Sequence, residues 1–263
     1  MTIGFTNIIV VREEVYSLNR MTRVVIKASD VAAIIGQNKF KSRQEVFNDM
    51  WKKYSPENFT SKTKNDLAEE AVSKSETARS VIDLASGVIA KSSVEAESVF
   101  RSAEKLINSD SKLNLEEKVK VVEHLRSKVY TGHGIRKEDE TARRCGLDLE
   151  RDDVFHTMYI GTHNDRDYEV VGRVDRIEIL PDGSKILVEI KNRTKGLFRR
   201  VYPSENVQIQ VYLEMLDLDK AKLIEQYNSD VNVMEVQRDK AMFENEIFPG
   251  LENFCFELSN SLL

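Results

Sequence analysis

Two strand-like runs joined by a turn, Val174 to Arg193 (VDRIEILPDGSKILVEIKNR), constrain this chain most tightly. The second run alternates at period two, so Leu187, Glu189 and Lys191 share one face while Ile186, Val188 and Ile190 share the other. The PDGS between the runs reads as a hairpin turn, which brings Asp175 beside Glu189. Charges that point inward are costly unless they are paired or hold a metal. Two converging carboxylates repel each other unless a divalent cation lies between them, and oxygen ligands suit magnesium or manganese. On these residues alone, an ordinary hairpin with a cross-strand salt bridge between Lys191 and a carboxylate stays open.

The hairpin lies late in a chain of 263 residues, 41% of them hydrophobic, enough for one large domain or one domain with a sizeable insertion. TRVVIK predicts a strand, SDVAAIIG a short helix with Ser29 at its N-cap, and KSRQEVFNDMWKKY a second helix. Ser55-Pro56-Glu57 predicts another helix start. Residues 59–129 hold no proline and read as helical material, with one stripe on Leu67, Ala71, Ala78, Ile82, Ala85 and Ile89 and another on Ala96, Val99, Ala103 and Leu106. Ser92 to Glu95 and Asn114 with Glu117 are capping patterns. TGHGIRKEDETARRCG reads as a loop entering a helix, in which His133 would be solvated. Strands over VFHTMYIG, DYEVVGRVDRIEIL and SKILVEIKN, a helix over SENVQIQVYLEML, a hairpin of AKLIEQY and VNVMEVQ, and a last helix near Asp239 follow. The expected fold is α/β (α+β), a mixed sheet flanked by helices. Its parts are 1–58 and 130–263 for the core and 59–129 for a helical insertion.

Composition excludes some classes of function. No run approaches the roughly 18 apolar residues of a membrane span, and the N-terminal IIVVREEV lacks the features of a signal peptide, so the expected location is intracellular and cytoplasmic by default, with nuclear or viral-factory sites left open. Cys145 and Cys255 are too few for a zinc cluster or a disulfide framework. The net charge of −5 argues against nonspecific nucleic-acid binding, yet KNRTKGLFRR, Lys191 to Arg200, holds five cations and no anion. It reads either as a phosphate-binding segment or as a solvated basic turn.

Four pieces of the chain, in order, resemble the PD-(D/E)xK nuclease superfamily, and within it the lambda-exonuclease, YqaJ-type viral recombinase branch. SDVAAIIGQNKFKSRQEVF is similar to that branch's opening motif, GIRKEDETA to its Gly-x-x-x-Glu helix, GRVDRIEI with VEIKNR to the core signature, and Gln208 to Tyr212 to the Gln-x-x-x-Tyr motif of RecB-type nucleases. Valine stands where the superfamily often has proline before Asp175.

The resemblance implies a restriction-endonuclease-like core and a magnesium-dependent exodeoxyribonuclease of recombination, repair or viral DNA processing, with manganese as a substitute. It implies Glu138, Asp175, Glu189 and the Ile190 carbonyl as metal ligands, Lys191 as the residue that orients or activates water, and Gln208 and Tyr212 beside it. Ser29, Arg193, Lys195, Arg199 and Arg200 would meet DNA phosphates. Duplex DNA with free ends is the implied substrate, with a homo-oligomer and a single-strand-annealing or replication partner as implied associations. The competing functions are a structure-specific or RNA-directed endonuclease, a binding module that does not cut, and a structural adaptor.

Overall fold

The computed structural model describes residues 22–263, so the reading of IIVVREEV lies outside the described residues. Among the described residues, two sheets form the core. In the smaller one, β1 (Thr22–Lys27) runs parallel to β4 (Arg166–Gly172), which pairs antiparallel with β3 (His156–His163). The larger one has five strands in the order β2 (Leu149–Arg151), β5 (Arg176–Ile179), β6 (Lys185–Asn192), β7 (Lys220–Tyr227), β8 (Asp230–Gln237). β5–β6 and β7–β8 are antiparallel hairpins, and helix α7 (Pro203–Leu216) makes the crossover that lets β6 and β7 run parallel. This mixed, helix-flanked sheet is the α/β (α+β) arrangement expected from the sequence. DYEVVGRVDRIEIL, which alternates like one strand, is split between the two sheets, because the chain leaves β4 at Gly172 and enters β5 only at Arg176.

Sheet faces follow the sequence pattern. Leu187 belongs to the main core with Tyr168, Val170, Leu223 and residues of α7, whereas Val188 and Ile190 point the other way, into a small cluster with Ile224, Ala142 and Cys145. β6 is therefore covered on both faces, and Glu189 and Lys191 lie on the main-core side of the strand's end.

The first helices depart from expectation in detail. Ala28–Asp30 form a 3-10 turn that runs into α1 (Val31–Ile34), so Ser29 sits inside the turn and caps nothing by its side chain. Asp30 is engaged by Lys41 at 2.9 Å. α2 (Arg43–Tyr54) carries a full capping box from Ser42 and Glu45. Ser55 to Glu57 make a turn rather than a helix start, since the Ser55 hydroxyl donates to Glu57 at 2.8 Å and accepts from Asn58 at 3.0 Å. Local side-chain bonds of this kind compete with helix formation.

Four helices follow: α3 (Lys64–Ser73), α4 (Glu76–Gly87), α5 (Ser93–Ser109) and α6 (Leu115–Arg144). They share a hydrophobic cluster built on Ile82, Phe100, Ile107, Val121 and Leu125, distinct from the main core. Ala71, Ala78, Ile82, Ala85, Ala96 and Ala103 are buried as expected, while the other stripe positions differ: Ala68 rather than Leu67 is buried, Phe100 and Ile107 are buried in place of Val99 and Leu106, and Ile89 is exposed. Ser75 starts a new helix between Ala71 and Ala78, so the first stripe belongs to two helices. Asn114 and Glu117 form the expected capping box of α6. That helix continues through TGHG, which reads as a loop in sequence, and crosses the expected boundary at residue 130. His133 is accordingly buried rather than solvated. The Ser93 hydroxyl donates to the Arg193 carbonyl at 2.7 Å and ties the start of α5 to the segment after β6.

The chain closes with α8 (Lys240–Met242), a π-helical turn over Phe243–Ile247 and α9 (Phe248–Ser261), which packs Leu251, Phe254 and Leu258 into the main core. Among the described residues, no helix is long and apolar enough to cross a membrane.

Candidate active site

The β5–β6 register sets Arg176 opposite Val188, which brings Asp175, one residue before β5, level with Glu189. Asp175 is fastened there by the Ile190 amide, which donates to its Oδ2 at 2.7 Å. Glu189 is 2% exposed. Its Oε1 accepts from the Lys191 ammonium at 2.6 Å, and its Oε2 is buried with no hydrogen-bond partner. Burial first, and the like charge of Asp175 second, push the Glu189 carboxyl up to about 7 against the pull of Lys191. Asp175 is raised too, chiefly by burial. Burial opposes the charge of Lys191, but Glu189 and Asp175 outweigh it and hold the ammonium above its ordinary range.

α7 brings the amide and the phenol to the same place. Gln208 Oε1 accepts from Lys191 at 3.4 Å, its Nε2 donates to the Tyr212 hydroxyl at 3.4 Å, and that hydroxyl donates to the Arg173 carbonyl at 3.1 Å. Burial, then Glu189, pushes the Tyr212 phenol up to about 12, so it acts as a donor throughout the neutral range. Tyr212 fits because Gly172 has no side chain: a Cβ there would lie 2.4 Å from the ring and 2.8 Å from the Ala28 Cβ. The sequence reading passed over Gly172, although its place at the head of GRVD was a signal.

Of the three neighbouring acids on α6, Asp139 pairs with Arg176, and Glu140 pairs with Lys137 and, at 2.7 Å, with Arg144. Glu138 is the half-buried one whose carboxyl is raised, by burial first and by the nearby charge of Glu189, with Arg176 opposing. The helix is held in place by Asn192, whose Nδ2 donates to the Gly134 carbonyl at 3.0 Å and whose Oδ1 accepts from the Thr141 hydroxyl at 2.6 Å. Sequence reading missed Asn192 and Thr141, because a polar residue at a strand end or within a helix carries no signal until its partner is known.

The basic segment after β6 divides. Arg193 is 9% exposed, bonded to Glu225 at 2.8 Å and Glu205 at 2.5 Å, and stacked on Phe198, so its charge is neutralised inside the protein and is not a free phosphate contact. This corrects the sequence expectation for that residue. Lys195, Arg199 and Arg200 are exposed, as is Ser29.

Among the described residues, no three His, Cys, Asp or Glu side chains converge closely enough to hold a metal ion by themselves. Two carboxylates with an orphaned buried oxygen nevertheless fit a magnesium-like ion, which commonly takes one or two protein carboxylates and fills its shell with water and substrate phosphate.

A scan against protein-family models found no match, and no curated protein matched the chain. Among solved structures, the chain is similar to a phage-related exonuclease from Haemophilus somnus 129PT, with 13% identity, a TM-score of 0.41, and coverage of 90% of this chain and 94% of that one. It is similar also to an alkaline exonuclease from Laribacter hongkongensis, with 14% identity, a TM-score of 0.38, and coverage of 75% and 94%. A structure of the latter in complex with dAMP matches with the same identity and TM-score over 73% of this chain and 91% of that one.

Proposed function

We propose that this chain is a metal-dependent deoxyribonuclease that hydrolyses phosphodiester bonds of linear duplex DNA from an end. The observation that carries this reading is the convergence of Asp175 and Glu189, one oxygen of Glu189 buried without a partner, beside the ammonium of Lys191. Asp175, Glu189 and the Ile190 carbonyl would hold magnesium, with manganese as a substitute, and Glu138 would complete the site from α6. A divalent cation there supplies Lewis acidity toward the scissile phosphate and the attacking water. Lys191 sets a positive charge where the phosphate gathers negative charge in the transition state. Gln208 fixes the direction of that ammonium, and Tyr212 fixes Gln208. Lys195, Arg199 and Arg200 would contact backbone phosphates without reading sequence, which suits movement along DNA.

In this reading the helical insertion is a subdomain beside the core, and the protein works in recombination, repair or viral DNA processing. Asp175→Asn, Glu189→Gln and Lys191→Ala test the assignment. Each should lower hydrolysis of linear duplex by roughly 10²-fold or more. In calorimetry, the two carboxylate variants should lose magnesium affinity while Lys191→Ala keeps it. Equal magnesium affinity in all three variants and the wild type would move the metal away from this site.

A further inference from the structure

Close to the carboxylates, and sharing none of their chemistry, lies a cavity of about 660 Å³ between the loop after α1 and the start of α7. Its wall joins aromatic rings to cations. Phe40 is 79% exposed, yet it is held rather than loose: the Asn38 side chain accepts from the Phe40 amide at 2.8 Å and from the Lys41 amide at 3.1 Å, fixing the turn that presents the ring. Across the cavity, Phe198 is 40% exposed and meets Tyr202 edge to face at 5.0 Å. Lys39 lies 5.2 Å from the centroids of both Phe40 and Tyr202, and the Arg200 guanidinium is 4.6 Å from Tyr202. Glu205, the acid of this wall, is already bonded to Arg193. What the cavity offers a ligand is therefore the exposed ring of Phe40 and the partly exposed ring of Phe198, one side of which Arg193 covers, flanked by the charges of Lys39 and Arg200.

We propose that this cavity binds single-stranded DNA, stacking one or two bases on Phe40 and Phe198 while Lys39 and Arg200 meet the adjoining phosphates. Rings with cations between them suit an unpaired strand, because every base has a face to stack and every linkage a charge to pair. A duplex keeps its bases stacked on one another and has none to give. The position agrees: Glu205 and Gln208 lie one turn apart on α7, so the cavity opens beside the candidate active site. The inference rests on the DNA-cleaving reading for its choice of nucleic acid, and it adds that unpaired bases are held here.

The test is metal-free, so that hydrolysis does not enter it. Fluorescence anisotropy in EDTA compares a labelled oligothymidine with an abasic strand of the same length and charge. Wild-type protein should prefer the thymidine strand by about tenfold. Phe40→Ala should lose most of that preference, Phe40→Trp should keep it, and Lys39→Ala with Arg200→Ala should weaken both strands alike and flatten the salt dependence. Phe40 is largely solvent-exposed, so its replacement leaves the core intact. Equal affinity for the two strands, or a thymidine preference unchanged in Phe40→Ala, would overturn the proposal. Cleavage of linear duplex by the same preparations, assayed apart with magnesium, shows separately whether the nuclease reading holds.

Discussion

Glu189 is a carboxylate held where water is not, next to a second carboxylate, and its raised pKa states the cost of that placement. The sign of the resulting pH dependence follows from linkage. An unfolded glutamate releases its proton near 4.5, whereas the folded one keeps it up to about 7, so in the metal-free protein this group's contribution to stability is present below 4.5 and declines as pH rises through about 7. Magnesium competes with that same proton. Its affinity should rise by up to about tenfold per pH unit below 7 and level off above, and calorimetry across about pH 6 to pH 8 would reveal a flat profile if Glu189 were no ligand. Asp175→Asn removes the repelling charge while keeping an acceptor for the Ile190 amide, so the metal-free variant should melt no lower than wild type at alkaline pH, and a large fall would mean that Asp175 serves packing instead. These residues were legible in sequence because period-two alternation assigns faces without any tertiary knowledge. The burial of Arg193 was not: its partners Glu205 and Glu225 come from other elements, and a run of cations looks the same whether or not acids meet it.

α6 is the element on which sequence and structure differ most, and the difference has consequences for the site. Two glycines in TGHG suggest a break, yet the helix passes through them, since α3 to α5 pack on its first half and β6 on its second. Tertiary packing overrides the local cost of about 1 kcal/mol for each glycine. One rigid element thus reaches from the helical cluster to Glu138, and Asn192 sets its register against β6. Asn192→Ala should weaken magnesium binding by about tenfold, as loss of a supporting contact around a metal site commonly does. Thr63→Ala, which removes the α3 cap at a cost of about 1 kcal/mol, gives the comparison: it should destabilise the protein and leave metal affinity alone. Equal effects of the two variants on metal affinity would reduce Asn192 to an ordinary structural contact. The β-hairpins needed no such correction, because PDGS and NSD each mark a turn between runs whose apolar pattern has one sensible register.

The described residues form two principal hydrophobic clusters, one under the sheets and one among α3 to α6, joined by α6 and by the bond from Ser93 to Arg193. Phe100→Ala opens the second cluster at a cost of about 3–5 kcal/mol. Hydrogen exchange should then show lost protection in α4 and α5 with β6 and β7 still protected, and uniform loss would make the molecule a single cooperative unit. Most of the order of helices and strands from Thr22 onward was readable, but the break at Ser75, the short strand β2 and the parting of β4 from β5 were not, nor was which surfaces share a core, because a stripe at helical spacing names a face and not its partner. Joining both clusters to function is the proposal that Asp175 and Glu189 would hold a cation for hydrolysis of DNA from its ends. The most direct measurement is the release of acid-soluble nucleotide from linear duplex and from covalently closed circles, in magnesium and in EDTA. Steady release from the linear form in magnesium is expected, with none from closed circles and none in EDTA. Rapid nicking of closed circles, or undiminished release in EDTA, would contradict the proposal.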